Sequence, residues 1–240
     1  MKDELALPRV EDHKKLGQVC TTISARTAVE MVDKAQAAFD LGSDLVEFRV
    51  DLAQDSLGEM AERMLRFARK SIITVRCREE GGKFRGSEAE RLEAISELTR
   101  LRPAYLDIEL STAREHPLWY AGLPRSLRKI VSWHDFAGTP SLRVLRQKRA
   151  EARELGQVTK IVTTAKGKAD NLRVLKLYED DPQSLIAFCM GSQGSASRLA
   201  SLRLGAPVVY ASLPGEPVAP GQLSVTTVTG MKRLLEEGRW

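Results

Sequence analysis

Short apolar segments alternate along this chain with longer segments in which apolar residues recur every three or four positions. The short segments have the length of buried strands and comprise residues 18–24, 44–50, 71–77, 104–110, 128–134, 158–164, 184–190 and 207–212. The longer segments predict helices and comprise residues 27–41, 56–70, 87–101, 111–122, 139–155, 168–179, 195–204 and 224–237. Strands that alternate with helices predict parallel pairing through right-handed crossovers.

Eight strand–helix units in a chain of 240 residues predict an α/β fold, a (β/α)₈ TIM barrel that forms a single domain over residues 17–240. Residues 1–16 are polar, and we expect a tail or a cap over the floor of the barrel. A doubly wound open sheet is the alternative. It is less favoured, because no Gly-x-Gly-x-x-Gly turn follows the first strand.

Polar side chains alternate with apolar ones near the C-terminal ends of the predicted strands. Glu47, Arg49 and Asp51 share one strand face, because successive strand residues point to opposite faces. The same alternation directs a further set inward: Thr74, Arg76, Asp107, Glu109, Ser132, His134 and Lys160. Buried charges are costly unless they are paired, and barrel enzymes hold their sites at this end of the strands. We therefore expect a catalytic site here.

Lys160 lies in the middle of an apolar strand. An ammonium group is costly to bury, and a lysine in such a place can lose its proton and attack a carbonyl carbon. Nearby arginines, Arg49, Arg76 and Arg198, would favour the neutral amine further. The alternative is an inert lysine that reaches from an edge strand into water.

His134 ends the strand next to that of Lys160 and is a candidate general acid or base. Glu80, just beyond the third strand, could orient its imidazole, and the arginines could hold a substrate carboxylate. The chain has neither the residue spacing of a metal site nor a phosphate-binding loop. These residues predict a lyase or aldolase type of reaction that needs no metal or cofactor.

Basic and acidic residues are mixed along the chain, which carries a net charge of +5 and few aromatic residues. This mixture is typical of a solvated surface or of a basic pocket for a small anion, and it disfavours nucleic-acid binding. Cys20, Cys77 and Cys189 lie in apolar segments, which favours buried free thiols. Without a signal-peptide pattern or a membrane-spanning apolar segment, we expect a cytoplasmic protein with no membrane partner, and by base rate a homodimer.

Short stretches at the ends of the predicted strands, each weak alone, together resemble one known family. They are Glu47-Phe48-Arg49-Val50-Asp51, Thr74-Val75-Arg76 with Glu80-Gly81-Gly82, Leu106-Asp107-Ile108-Glu109-Leu110, Ser132-Trp133-His134-Asp135-Phe136 with Thr139-Pro140, Lys160-Ile161-Val162, Ser197-Arg198-Leu199 and Ala219-Pro220-Gly221-Gln222. In this order, and over nearly the whole chain, they resemble the type I 3-dehydroquinate dehydratases of the shikimate pathway.

The resemblance implies a barrel that dehydrates 3-dehydroquinate to 3-dehydroshikimate, without cofactor or metal, in aromatic amino-acid biosynthesis. It implies that Lys160 forms an imine with the C3 ketone, that His134 transfers the protons of a syn elimination, and that Glu80 pairs with His134. It also implies substrate-binding residues: Thr22, Glu47, Arg49, Arg76, Arg198 and Gln222, the last of which lies on a lid loop, residues 213–222.

The lid loop departs from the family pattern at one position. The family usually has serine before Ala-Pro-Gly-Gln, whereas this chain has Val218. One hydrogen bond from the lid to the substrate, about 1 kcal/mol net, is therefore expected to be missing. The alternative functions are another Schiff-base barrel of the class I aldolase type, and a non-catalytic barrel that binds anions or nucleic acid.

Overall fold

The computed structural model describes residues 16–239, and within this range eight strands alternate with helices. The strands are β1 (Gln18–Ile23), β2 (Leu45–Arg49), β3 (Ser71–Thr74), β4 (Tyr105–Glu109), β5 (Lys129–Asp135), β6 (Val158–Thr164), β7 (Leu185–Met190) and β8 (Val208–Ala211). The helices are α1 (Ala28–Asp40), α2 (Leu57–Met64), α3 (Glu88–Leu98), α4 (Leu110–Glu115), α5 (Pro117–Gly122), α6 (Leu142–Arg153), α7 (Lys168–Leu175), α8 (Ser195–Arg203) and α9 (Val225–Glu236). Of the predicted tail, all but Leu16 lies outside the described residues.

The strands form one sheet in the order β7-β6-β5-β4-β3-β2-β1-β8, and the neighbouring strands pair in parallel. Because β8 returns to pair with β1, the sheet curls into a nearly closed barrel with the helices outside. The predicted (β/α)₈ barrel is confirmed, and the alternative of a doubly wound open sheet is wrong.

The two faces of the barrel wall differ in polarity as the strand alternation predicts. Val46, Phe48 and Ile73 point outward and are fully buried against helix residues that include Met31 and Met64. The interior begins with an apolar layer: Cys20, Leu45, Ile72, Tyr105, Ile130, Val158, Ile186 and Val208. Two residues further along most of these strands stands an inward polar side chain. The polar layer therefore lies at the C-terminal end of the barrel, on an apolar floor.

Several predicted elements are shorter in the structure than in the sequence pattern. β3 stops at Thr74, because beyond it carboxylates take the backbone N–H groups: Arg76 donates to Asp51 and Cys77 to Glu109. The predicted helix 111–122 is two helices. They separate at His116, since Pro117 cannot continue the helical hydrogen bonding of the residues before it.

Two further sequence expectations are met. Ser87 and Glu90 form a capping box at the start of α3, with Ser87 N donating to Glu90 Oε2 at 2.7 Å and Glu90 N donating to Ser87 Oγ at 3.3 Å. Cys20, Cys77 and Cys189 are all buried and unpaired. No helix between residues 16 and 239 is long and apolar enough to cross a bilayer.

Candidate active site

A cavity of about 170 Å³ opens at the C-terminal end of the barrel. All nine residues that the sequence assigned to catalysis or substrate binding line it: Thr22, Glu47, Arg49, Arg76, Glu80, His134, Lys160, Arg198 and Gln222. Most of them lie at or just beyond the end of a strand, whereas Arg198 comes from α8 and Gln222 from the lid loop. The barrel therefore brings together side chains that are up to 200 residues apart in sequence.

Lys160 lies in the middle of β6 and is only 5% exposed. Its Nζ donates to Asp107 Oδ2 at 2.9 Å, lies 3.7 Å from Glu47 Oε1, and lies 4.1 Å from the ring centroid of Tyr210. β6 is paired on both sides, so the alternative of an inert lysine on an edge strand is wrong. The ion pairs of Lys160 are with carboxylates, Asp107 and Glu47, and not with the arginines that the sequence places nearby.

Asp107 connects Lys160 to Arg76 through one buried carboxylate. Arg76 Nη2 and Ser132 Oγ each donate to Asp107 Oδ1 at 2.7 Å, while Oδ2 accepts from Lys160. Burial raises the pKa of Asp107, but the charges of Arg76 and Lys160 outweigh it and hold that pKa well below its usual range. Arg76 also donates to Glu109 Oε1 at 3.0 Å. Its guanidinium is therefore held by the protein itself and orders the site.

His134 and Glu80 form a close pair, with Nδ1 and Oε2 2.6 Å apart. Glu80 ends a 3₁₀ turn beyond β3, and the chain then reverses at two glycines. Gly81 has a φ of +82°, which favours glycine, and a Cβ on Gly82 would lie 1.8 Å from the backbone oxygen of Arg76. These glycines are what allow the carboxylate of Glu80 to reach the imidazole.

The surroundings of the His134–Glu80 pair favour the neutral form of both side chains. Burial raises the pKa of Glu80 to about 8, although the charge of Arg76 opposes the change. Burial, together with the charges of Arg76 and Lys160, holds the pKa of His134 well below its usual value. A neutral imidazole whose Nδ1–H donates to Glu80 leaves Nε2 free to accept a proton.

Glu47 and Asp51 are two further carboxylates whose hydrogen bonds fix side chains of the site. Glu47 accepts hydrogen bonds from the hydroxyls of Thr22 and Thr74, each at 2.8 Å, which aim it toward Lys160. Arg49 donates two parallel hydrogen bonds to Asp51, at 2.9 and 2.8 Å. Both contacts are made within the protein, so these residues are held in place before a ligand arrives.

Arg198 differs from the other cations of the cavity. Its Nε is buried without a hydrogen-bond partner, no carboxylate of residues 16–239 pairs with it, and its guanidinium stacks on Phe188 at 4.1 Å. Burial lowers its pKa to about 10. Ser197 Oγ accepts from Cys189 N at 2.9 Å, and this bond seats the start of α8 against the end of β7. An unpaired buried cation of this kind is a site for an anion.

The lid loop is fastened to the barrel by the side chain of Gln222. Its Oε1 accepts from the backbone N–H of Val218 at 2.9 Å, and its Nε2 donates to Ala211 O at 2.9 Å and to Thr22 Oγ1 at 3.2 Å. Val218 therefore contributes its backbone N–H to a hydrogen bond within the lid loop.

Of the three side chains that surround Lys160 Nζ, two have no role predicted from the sequence. Alternation places Asp107 inward without assigning it a function, and Tyr210 is not among the predicted site residues. Each follows an apolar interior residue by two positions, Tyr105 and Val208 respectively, so alternation alone could have placed both in the polar layer. Their contacts with Lys160 could not have been found in this way, because they depend on the register between strands.

A buried lysine beside an acid–base pair and an unpaired arginine, at the C-terminal end of a (β/α)₈ barrel, defines a class of enzyme. It is a lyase or aldolase that acts on a small carbonyl compound carrying an anionic group. Residues 19–239 match the family model described as Type I 3-dehydroquinase.

Relatives and solved structures agree with this match. A 3-dehydroquinate dehydratase of Methanothermobacter thermautotrophicus is 36% identical over 218 residues, which cover 89% of this chain and 95% of the relative. One of Thermococcus gammatolerans is 39% identical over 219 residues, 91% of this chain and 99% of the relative. The structure of the Aquifex aeolicus enzyme superposes with a TM-score of 0.76 at 28% identity, covering 90% of this chain and 97% of its own.

The fold is also shared with more distant proteins. The type I 3-dehydroquinate dehydratase of Clostridium difficile, solved with covalently modified comenic acid, has a TM-score of 0.81 at 20% identity over 97% of both chains. The chain belongs to the type I 3-dehydroquinase family. Its reaction is the dehydration of 3-dehydroquinate to 3-dehydroshikimate and water, a hydro-lyase reaction, which excludes the aldolase and non-catalytic alternatives.

Proposed function

We propose that Lys160 is the residue that forms the Schiff base in this reaction, with His134 transferring the protons and Glu80 holding its imidazole in place. The observation that carries the proposal is the single cavity in which the Lys160 amine, the His134–Glu80 pair and the unpaired Arg198 guanidinium meet. A ketone that carries a carboxylate fits this set, because Arg198 can bind the carboxylate while Lys160 meets the carbonyl carbon.

The first step joins the amine and the ketone. The neutral amine of Lys160 adds to C3 of 3-dehydroquinate, and the carbonyl oxygen leaves as water with one proton from the nitrogen and one from the surroundings. The product is an iminium with one N–H, which Asp107 is placed to accept. The positive nitrogen draws electrons from C2 and makes its hydrogen acidic.

The second step is the elimination, and His134 serves it twice. Nε2 takes the proton from C2, and the C–H electrons form an enamine; these electrons then expel the C1 hydroxyl, which leaves as water with a proton from Nε2. While Nε2 carries that proton, the hydrogen bond from Nδ1 to Glu80 holds the imidazole ring in place. Hydrolysis of the conjugated iminium releases 3-dehydroshikimate and restores Lys160.

The remaining residues bind and order the substrate in this proposal. Arg198 holds the carboxylate, and Arg49, Glu47 and Thr22 lie where they can meet the hydroxyl groups of the substrate. Arg76 acts mainly by ordering, since its guanidinium already donates to Asp107, Glu109 and Ser132. Gln222 keeps the lid loop over the cavity, which limits the entry of water.

Borohydride trapping tests the assignment. The unsubstituted protein, incubated with 3-dehydroquinate and borohydride, should lose activity and gain one adduct, which peptide mass spectrometry locates on Lys160. Lys160→Ala should form no adduct and have no activity. Lys129→Met is the matched control, because Lys129 is also a buried strand lysine but lies at the opposite end of β5 from the cavity; it should still be trapped on Lys160. An adduct on any other residue contradicts the proposal.

A second variant separates the roles of the two catalytic groups. His134→Ala should still form part of the adduct on Lys160, because imine formation needs the amine, while the elimination should fall by about 10²- to 10⁴-fold. Equal losses in trapping and in elimination would contradict this division.

A cytoplasmic location, a place in the shikimate pathway and assembly as a homodimer are parts of the same proposal. The pathway follows from the substrate named for the family. The homodimer rests on the frequency of twofold-symmetric assemblies among soluble oligomers. Sedimentation of the purified protein checks the dimer, and a monomer at micromolar concentration contradicts it.

A further inference from the structure

The aromatic ring of Tyr210 lies against the reacting nitrogen. Tyr210 is in β8, is 4% exposed and lines the cavity, and its ring centroid is 4.1 Å from Lys160 Nζ. This distance is well within the range of about 6 Å at which a cation is attracted to the face of an aromatic ring. The nitrogen thus has two carboxylates, Asp107 and Glu47, and one aromatic face as its direct neighbours.

The hydroxyl of Tyr210 does not explain the position of the ring. It is buried and has no hydrogen-bond partner among the described residues, which is unfavourable for a phenol. The ring is held instead by apolar neighbours of the barrel interior and lies at an angle of 53° to Phe188, with centroids 6.4 Å apart. The face of the ring, and not the hydroxyl, is therefore what meets the site.

Imine formation reduces the number of N–H donors on the Lys160 nitrogen. The ammonium has three N–H donors, which suit two carboxylates, whereas the iminium keeps one N–H and spreads its positive charge over a planar face. Asp107, at 2.9 Å, can accept from that one N–H. The iminium nitrogen then has no second N–H to donate to Glu47, which lies 3.7 Å away. The ring face of Tyr210 therefore contributes a larger share of the stabilisation of the cation once the imine has formed.

We propose that the face of the Tyr210 ring is a catalytic contact, which stabilises the cationic iminium on Lys160 during the dehydration. This inference rests on the proposed role of Lys160 and adds a residue to it. The ring carries no proton in the reaction and forms no bond. It raises the share of bound substrate that is present as iminium, and thereby the rate at which C2 can lose its proton.

A series of ring substitutions at position 210 tests the proposal without changing the shape of the site. Tyr210→Phe removes only the unpartnered hydroxyl and keeps the ring face, so it is the reference for the fluorinated variants. Phenylalanines with one, two, three and five ring fluorines then reduce the negative potential of the face step by step. We expect log kcat/KM to fall steadily, to a total loss of roughly tenfold, and the yield of borohydride adduct at subsaturating substrate to fall with it.

Matched measurements separate this role from packing. The same fluorinated residues at Phe48 should leave kcat/KM unchanged, because this buried ring on the outer face of β2 contacts no cation in the described part of the chain. The thermal midpoint should vary little across the series at position 210, whereas Tyr210→Leu, which removes the ring altogether, should lose at least as much activity as the pentafluoro variant.

The results that would contradict the role of Tyr210 differ from the result that would contradict the role of Lys160. A flat series with the adduct still on Lys160 would overturn the role of Tyr210 and leave Lys160 as the Schiff-base residue. A decline that follows the thermal midpoint, and not the fluorine number, would also overturn it. Absence of the adduct from Lys160 in the unsubstituted protein would overturn the proposed function and this inference together.

Discussion

Replacing Arg198 by methionine should make the free protein more stable and the enzyme much less active. The guanidinium is 3% exposed, has no carboxylate partner within residues 16–239 and leaves Nε unbonded. The free protein therefore carries the cost of burying a charge that no carboxylate compensates, and a bound anion would offset that cost. Methionine has a similar length and no charge, so it removes this cost while still filling the space beside Phe188.

The size of the gain follows from the electrostatics of the site. Burial lowers the pKa of Arg198 to about 10, and this change corresponds to about 3 kcal/mol of unfavourable desolvation. The stacking on Phe188 at 4.1 Å returns about 1 kcal/mol, so the net gain in the free energy of unfolding is about 2 kcal/mol. For a chain of this size, the thermal midpoint should rise by roughly 4–8 °C.

The activity should change in the opposite direction. Loss of one partner of a buried charge pair costs about 2–5 kcal/mol of binding, so kcat/KM should fall between roughly 30-fold and several thousandfold. The assay is the absorbance of the conjugated enone of 3-dehydroshikimate, with KM and kcat measured separately. A non-reactive carboxylate analogue should raise the thermal midpoint of the unsubstituted protein and not that of Arg198→Met.

Arg149 supplies the control. It is another largely buried arginine with a pKa lowered by burial, but it donates to Leu177 O at 2.8 Å and lies outside the cavity. Arg149→Met should lower the thermal midpoint, because it leaves a buried carbonyl unpaired, and should leave kcat/KM unchanged. If Arg198→Met lowers the stability of the free protein, or keeps the original kcat/KM, Arg198 is not an unpaired cation reserved for the substrate.

Further results are expected at His134 and at two glycines. Since burial and the charges of Arg76 and Lys160 lower the pKa of His134, its imidazole should stay neutral as the pH falls through 6.5 in an NMR titration of the free protein. The lowered pKa of His134 also makes the protein easier to unfold at acid pH. The stability linked to the neutral imidazole is present above the unfolded-state pKa near 6.5 and is lost as the pH falls below that value. An NMR titration midpoint of His134 at or above pH 6.5 would contradict both statements. Gly82→Ala should cost several kcal/mol of stability or prevent folding, because the new Cβ would lie 1.8 Å from Arg76 O. Gly58→Ala in α2 is the control, because no atom lies within 4 Å of its new Cβ. In urea unfolding, this second substitution should raise the free energy of unfolding by about 0.5–1 kcal/mol.

The barrel and most of its site could be predicted from the sequence, because the information is local. Strand alternation has a period of two, so it directs Glu47, Asp107 and Lys160 inward whatever the neighbouring strands do. The order of eight strand–helix units then selects the parallel barrel. The glycines at Gly81 and Gly82 similarly mark a sharp turn before any contact is known.

The limits of the helices and strands were less predictable. Apolar alternation continues through Val75 to Cys77, yet β3 ends at Thr74, because the carboxylates of Asp51 and Glu109 accept from the backbone N–H groups of Arg76 and Cys77. This competition involves residues 25 and 32 positions away, so no window along the chain contains it.

By itself, the sequence determined which side chains enter the barrel and at which end they lie, since both follow from the chemistry of adjacent residues. Only the tertiary structure decided which charges meet. It paired Lys160 with Asp107, 53 residues earlier, set the ring of Tyr210 against the same nitrogen, and left Arg198 Nε without a hydrogen-bond partner among residues 16–239. The physical reason is that electrostatic and aromatic contacts depend on distances of about 3 to 6 Å between side chains, and the register and curvature of the sheet set those distances.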